Sequence, residues 1–149
     1  MRSLLSLLTV IGLLSLQPAL AEEPIKATVY KDPNCGCCHE YVGYLRQNGF
    51  EVEVVDTGDL MSIKQQAGVP AALEGCHSTL VGGYVVEGHV PADIVKRLLQ
   101  EKPSIRGISL PGMPLGSPGM DGEQEGPFVV YTIPNADAGG GAPKVYATE

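Results

Sequence analysis

The stretch Ala27-Thr28-Val29-Tyr30-Lys31-Asp32-Pro33-Asn34-Cys35-Gly36-Cys37-Cys38 carries three structural signals in immediate succession. Ala27 to Tyr30 is a β-rich run, and Lys31-Asp32-Pro33-Asn34 is a turn-forming sequence that offers Asn34 as a helix N-cap. A helix is expected from about Gly36 to Asn48. Val42 and Leu45 lie on its apolar stripe, Glu40, Arg46 and Gln47 fall away from it, and Asn48-Gly49 supplies the stop. The cysteines therefore fall on the first turn of a helix, directly after a strand.

Working outward, Phe50, Val52 and Val54 alternate with Glu51 and Glu53 as in a half-buried strand, which leads to Asp56-Thr57-Gly58 and an N-cap at Asp59. Leu60 to Ala67 reads as a short second helix that stops at Gly68-Val69-Pro70. A loop holding Glu74-Gly75-Cys76-His77 enters the strand Ser78 to Val81, and Gly82-Gly83 turns it into a hairpin with Tyr84-Val85-Val86. Gly88-His89-Val90-Pro91 then opens a third helix with Ile94, Val95, Leu98 and Leu99 on its apolar face, closed by Lys102-Pro103. The order is β-α-β-α-β-β-α. A helical crossover makes the first two strands parallel and the hairpin adds antiparallel ones, so an α/β, thioredoxin-like domain with a mixed sheet is expected over residues 25–104.

The flanks read differently. Residues 105–127 are rich in Gly, Pro and Met and are expected to wrap the domain without regular structure, and in the tail, 128–149, Phe128 to Ile133 and Val145 to Ala147 are candidates for a hairpin across Gly139-Gly140-Gly141. At the other end, Arg2, the apolar run Leu4 to Leu16 and the small-residue ending Ala19-Leu20-Ala21 form the pattern of a secretory leader over residues 1–21. The run is interrupted by Gln17-Pro18 and falls short of the roughly 20 residues that span a bilayer, so no membrane span is expected after cleavage.

The chain has 149 residues, with 10 Lys and Arg against 17 Asp and Glu. One modest domain suits that length. An acidic surface with no basic cluster excludes nucleic acid as a natural partner, whereas cations are not repelled.

An exported chain with 4 cysteines would ordinarily hold two disulfides, here Cys35–Cys38 and Cys37–Cys76. Crowding argues against a purely stapling role, because Cys37 and Cys38 are adjacent and a vicinal disulfide is strained. Cys35 and Cys38 also form a C-x-x-C pair at a helix start, where unpaired N–H groups and the helix dipole favour a thiolate that is both nucleophile and metal ligand. The third thiol, Cys37, invites scrambling in a redox pair but benefits a soft metal. In a thioredoxin-like layout the loop before the third strand meets the start of the first helix, so Cys76 and His77 should approach the triplet. Such crowded sulfurs suit Cu(I), which accepts two or three thiolates and lets them bridge; tetrahedral zinc fits the spacing less well. His39 on the first helical turn and the thioethers of Met113 and Met120 are further candidate ligands. His89, at a helix start, either hydrogen-bonds the turn, supports the ligands or is itself a ligand. Tyr30, Tyr41 and Tyr44 read as packing.

The chain resembles the CopG-type periplasmic copper-resistance proteins of bacteria, a family long catalogued as a domain of unknown function. The resemblance runs from about Lys26 to Met120. It is carried by Thr28-Val29-Tyr30, Pro33-Asn34-Cys35-Gly36-Cys37-Cys38, Gly68-Val69-Pro70, Cys76-His77-Ser78-Thr79, Val81-Gly82-Gly83-Tyr84, Glu87 to Asp93 and Pro111 to Met120. It implies a thioredoxin-like fold, a periplasmic location, copper binding by Cys35, Cys37, Cys38 and Cys76, and a part in copper tolerance. A periplasmic copper carrier or efflux component is the expected kind of partner. The competing expectation is a thiol–disulfide oxidoreductase, acting on thiols or on the redox state of copper.

Overall fold

The computed structural model describes residues 23–135 and 141–149. The expected leader, residues 1–21, lies outside the described residues, as do Gly139 and Gly140 of the glycine linker. No helix among the described residues is long and apolar enough to cross a membrane.

Among the described residues seven strands and three helices follow one another as β1 (Ile25–Lys31), α1 (Gly36–Gln47), β2 (Phe50–Asp56), α2 (Leu60–Ala67), a 3-10 turn at Ala71–Leu73, β3 (His77–Val81), β4 (Tyr84–Gly88), α3 (Ala92–Glu101), β5 (Gly107–Leu110), β6 (Val129–Ile133) and β7 (Val145–Thr148). All seven strands join one mixed sheet in the order β2-β1-β3-β4-β5-β6-β7. The pairs β1–β2 and β4–β5 are parallel, each bridged by a helix, while β1–β3, β3–β4, β5–β6 and β6–β7 are antiparallel. Gly82 and Gly83 take positive φ of 56° and 86° in the β3–β4 turn, a conformation that side chains with a Cβ resist.

Both faces of the sheet are covered. Side chains alternate along a strand, so Val86 joins α1 and α3 residues on one face while its neighbour Val85 packs with Ala67, Val69 and Leu73 on the other. On α1 the buried positions are Cys38, Tyr41, Val42 and Leu45, the i, i+3, i+4, i+7 stripe of an amphipathic helix. Full burial of each large aliphatic side chain here contributes about 1.5–3 kcal/mol before chain entropy is counted. The same stripe that anchors α1 thus carries Cys38 into the interior.

The stretch expected as an irregular wrap differs. Gly107–Leu110 is a fully buried strand, parallel to β4. A Cβ on Gly107 would collide with the Val85 carbonyl oxygen, so the glycine that reads as a breaker is what lets two strands approach. Residues 111–127 contain no helix or strand, and the two C-terminal strands extend the sheet beyond β5.

Candidate metal centre

The turn before α1 sets the position of the cysteine triplet. Asn34 donates its backbone N–H to Asp32 Oδ1 at 2.7 Å, and Cys35 donates its own to Asp32 O at 3.1 Å. With Asn34 held inside this turn, the N-cap falls on Cys35 and makes no side-chain capping bond, which corrects the expected cap at Asn34. Asp59 does occupy the N-cap of α2, without a side-chain bond.

The fourth cysteine arrives from a loop clamped on both sides. Lys64, on α2, and Glu87, on β4, form a buried ion pair. Lys64 Nζ donates to Gly75 O at 3.0 Å, and Gly75 N donates to Glu87 Oε1 at 2.8 Å. Ser78 Oγ completes the set by donating to Glu87 Oε2 at 2.5 Å. A Cβ on Gly75 would lie 2.7 Å from Gly88 Cα, so the loop presses directly on the end of β4. Cys76, the next residue, is thereby aimed at α1.

The sulfurs of Cys35, Cys37, Cys38 and Cys76 all lie within 4.8 Å of one another. Cys35 and Cys38 are joined as a disulfide with Cα atoms 5.4 Å apart, and Cys37 and Cys76 are free. Cys76 Sγ is 3.5 Å from Cys38 Sγ and 3.9 Å from Cys37 Sγ, so of the two disulfides weighed from the sequence Cys35–Cys38 is formed and Cys37–Cys76 is not. A set of four thiolates requires two-electron reduction of the Cys35–Cys38 bond.

The imidazoles line the inner side. His89 donates its Nδ1–H to Pro118 O at 2.7 Å, which leaves Nε2 as an acceptor 3.0 Å from Cys76 Sγ. His77 Nδ1 is 3.3 Å from the same sulfur, and its buried Nε2 has no hydrogen-bond partner among the described residues. Tyr41 packs against both rings, tilted to His77 at a centroid distance of 4.5 Å and edge-on to His89 at 5.4 Å, with Oη donating to Val90 O at 2.8 Å.

Dryness governs the electrostatics. Burial, reinforced by the nearby Cys37, pushes the Cys76 thiol up to about 12. Burial and then the adjacent His89 hold His77 well below the usual imidazole range, and burial lowers His89 despite its bond to Pro118. Two neutral imidazoles and a protonated thiol are what a metal-free pocket of this kind favours, since each charge would lack water.

The remaining candidates divide. Met120 and Cys37 line a cleft of about 380 Å³ together with Gly36, Glu40, Leu115, Gly119 and Asp121. Gly119 lies close over α1 there, because a Cβ on it would stand 2.6 Å from Tyr41 N and 2.9 Å from Cys37 O. Met113 is exposed and outside that cleft lining, and His39 is exposed on α1 and outside the clustered donors. His89, which the sequence leaves open between bonding the turn and supporting or joining the ligands, stands among the clustered donors. Its only signal in the sequence is its place before Pro91, and its role depends on Pro118, distant in the chain.

The donor set fits a soft metal ion. Four converging sulfurs and two imidazoles offer thiolate-rich coordination once the disulfide is reduced, and the second grouping, Cys76, His77 and His89, also lies within 4.8 Å. The same C-x-x-C can exchange electrons as a dithiol.

Comparison with known proteins agrees with that chemistry. The model of the family described as "Protein of unknown function, DUF411" matches residues 73–120, which include Cys76, His77 and His89. A solved structure of a copper resistance protein, CopG form 2, is similar at 36% identity and a TM-score of 0.77, covering 85% of this chain and 99% of that one. CopG form 1 is similar at 36% identity and a TM-score of 0.76, covering 85% and 98%. No curated protein matches the chain.

Proposed function

Because the chain belongs to the family of the CopG copper resistance proteins, we propose that it is a periplasmic copper-binding protein that holds Cu(I), several ions per chain, and contributes to copper tolerance. The convergence of Cys35, Cys37, Cys38 and Cys76 within 4.8 Å carries this reading. Cu(I) is soft, and a thiolate can bridge two such ions, so crowded sulfurs are an advantage for it. Zinc remains the weaker fit, since residues 35, 37 and 38 sit too close in the chain to take three tetrahedral corners easily. Met120, beside Cys37 in the cleft, is placed to meet an incoming ion, and the acidic Glu40 and Asp121 there favour a cation. His77 supports the cluster from the inner side; His39 and Met113 serve at most at the periphery. The parallel β1–β2 pair and antiparallel β1–β3–β4 set support the thioredoxin-like description. The secretory pattern of residues 1–21 supports export. A periplasmic copper carrier or efflux component would then supply or receive the ion.

The Cys35–Cys38 disulfide favours a second reading, a periplasmic thiol–disulfide oxidoreductase that also acts on copper. In that reaction the reduced pair gives two electrons to two Cu(II) ions, forming the S–S bond, two Cu(I) and two released protons. Two variants separate the readings. Under the oxidoreductase reading Cys35→Ser abolishes disulfide reduction of an insulin-type substrate and Cys76→Ser preserves it. Under the copper-holding reading Cys76→Ser weakens Cu(I) retention, because it removes the sulfur supplied by the opposite loop.

A further inference from the structure

We propose that β7 is a dimer contact, pairing antiparallel with β7 of a second copy of this chain about a two-fold axis so that Lys144 lies opposite the partner's Glu149. The inference goes beyond the copper reading and does not depend on it.

β7 is the outer strand of the sheet and reads Val145-Tyr146-Ala147-Thr148, without a charge or a proline to block a neighbour. The opposite edge, β2, exposes Glu51, Glu53 and Asp56, which would repel a copy of itself. Glu149 exchanges both backbone hydrogen bonds with Phe128, at 2.7 and 3.1 Å, and the Lys144 carbonyl accepts from Thr132 N at 2.8 Å. Antiparallel alternation therefore turns the N–H and C=O groups of Thr148 and Val145 toward the open edge. Both residues are exposed. The Tyr146 carbonyl accepts from Arg97 Nη2 at 3.1 Å, and the Arg97 guanidinium lies 4.7 Å from the Tyr146 ring centre, so α3 holds the strand in place from one face.

The two-fold register that uses both outward residues sets each Val145 opposite the partner's Thr148, where the two exchange backbone hydrogen bonds. Tyr146 then faces the partner's Ala147, and Lys144 meets the partner's Glu149 as a close, non-hydrogen-bonded pair. Charge favours this register. The ion pairs among the described residues are Lys31–Asp56, Lys64–Glu87 and Arg97–Glu101, so among them Lys144 has no carboxylate partner. Glu149 and Asp93 share a cleft of about 210 Å³ between α3 and β7. Burial, and then the like charge of Asp93, push the Glu149 carboxyl up, and an ammonium entering the cleft would offset the second. A four-residue strand makes a small interface, so the dimer forms and dissociates with concentration. β3 and β1, which lead to and from the cysteines, lie four and five strands from β7, so both metal centres stay open in the dimer.

Sedimentation velocity of the mature chain over roughly 10 μM to 1 mM should show the weight-average mass rising toward twice that of the monomer. Lys144→Glu and Glu149→Lys each set like charges across the axis and should each raise the midpoint concentration by about tenfold or more. An equal mixture of the two variants should recover the wild-type midpoint, because the mixed dimer again holds two opposite-charge pairs. Lys144→Glu/Glu149→Lys, with the charges exchanged in one chain, should do the same. Thr148→Pro removes an outward N–H without touching the β6 ladder and should abolish the dimer, with circular dichroism showing the fold intact. A wild type that stays monomeric throughout overturns the inference and needs no variant. So does association that neither folded single variant weakens, or a mixture that associates no better than its components.

Discussion

Cys76 Sγ lies 3.5 Å from Cys38 Sγ although 38 residues separate them in the chain. The contact joins the first turn of α1 to the loop before β3, and nothing in that loop's own backbone requires it. Gly75 is held by Lys64 through its carbonyl and by Glu87 through its N–H, so a buried ion pair next to the site fixes where the fourth sulfur stands.

Removing one member of that pair should cost more than removing both. Glu87→Ala leaves a buried ammonium without its counter-charge and Gly75 N without its acceptor, and is expected to destabilise the protein by about 3–5 kcal/mol. Lys64→Met/Glu87→Leu, which removes both charges, should lose clearly less. Urea unfolding of the three proteins measures this, and equal losses for the single and double variants would show that the pairing itself is unimportant.

Stability of the metal-free protein should fall as acid is added from neutrality. His77 and His89 are held below the usual imidazole value in the fold, whereas the unfolded chain takes up their protons near pH 6.5. Below that pH the unfolded state therefore binds more protons, and each histidine removes up to about 1.4 kcal/mol per pH unit until its folded form also titrates. The window is longer for His77, the more strongly lowered of the two. Comparing urea midpoints at pH 7.0 and 5.5 should show the loss, and His77→Gln should reduce it. An unchanged difference in the variant would mean that these rings do not control it.

Cys76 should be a slow nucleophile for a free thiol. With its thiol pushed up to about 12 by burial and by Cys37, Cys76 stays protonated at pH 8. Iodoacetamide labelling followed by peptide mass analysis should find Cys76 largely unmodified at pH 8 and increasingly labelled at pH 10 and above. Rapid labelling at pH 8 would indicate that the pocket is wetter, or the loop looser, than the structure shows.

Much of the fold is legible because local signals agree with one another. The alternation in Phe50 to Val54 and the Asp59 and Gly68 boundaries give β2 and α2, and α2 runs over Leu60–Ala67 as expected. β5 is hidden because Gly107 resembles loop punctuation, and only the proximity of Val85 O reveals why a glycine belongs in a strand. Convergence of the four sulfurs is legible only through the expected layout, and it is reached because β3 lies beside β1 in the sheet, which brings the loop before β3 to the start of α1. Their oxidation state does not follow, because C-x-x-C spacing suits a disulfide and a metal site alike. His89 and Lys64 are the least legible. One depends on a carbonyl at Pro118, and the other is a charged residue in an amphipathic helix that ordinarily faces solvent.

The most direct measurement is the number of Cu(I) ions retained per chain by the mature, fully reduced protein in competition with a Cu(I) chelator. Four converging thiolates that bridge ions predict a plateau above one copper per chain, held against millimolar glutathione-like thiol. A plateau below one, or complete loss of copper to the thiol, would contradict the account.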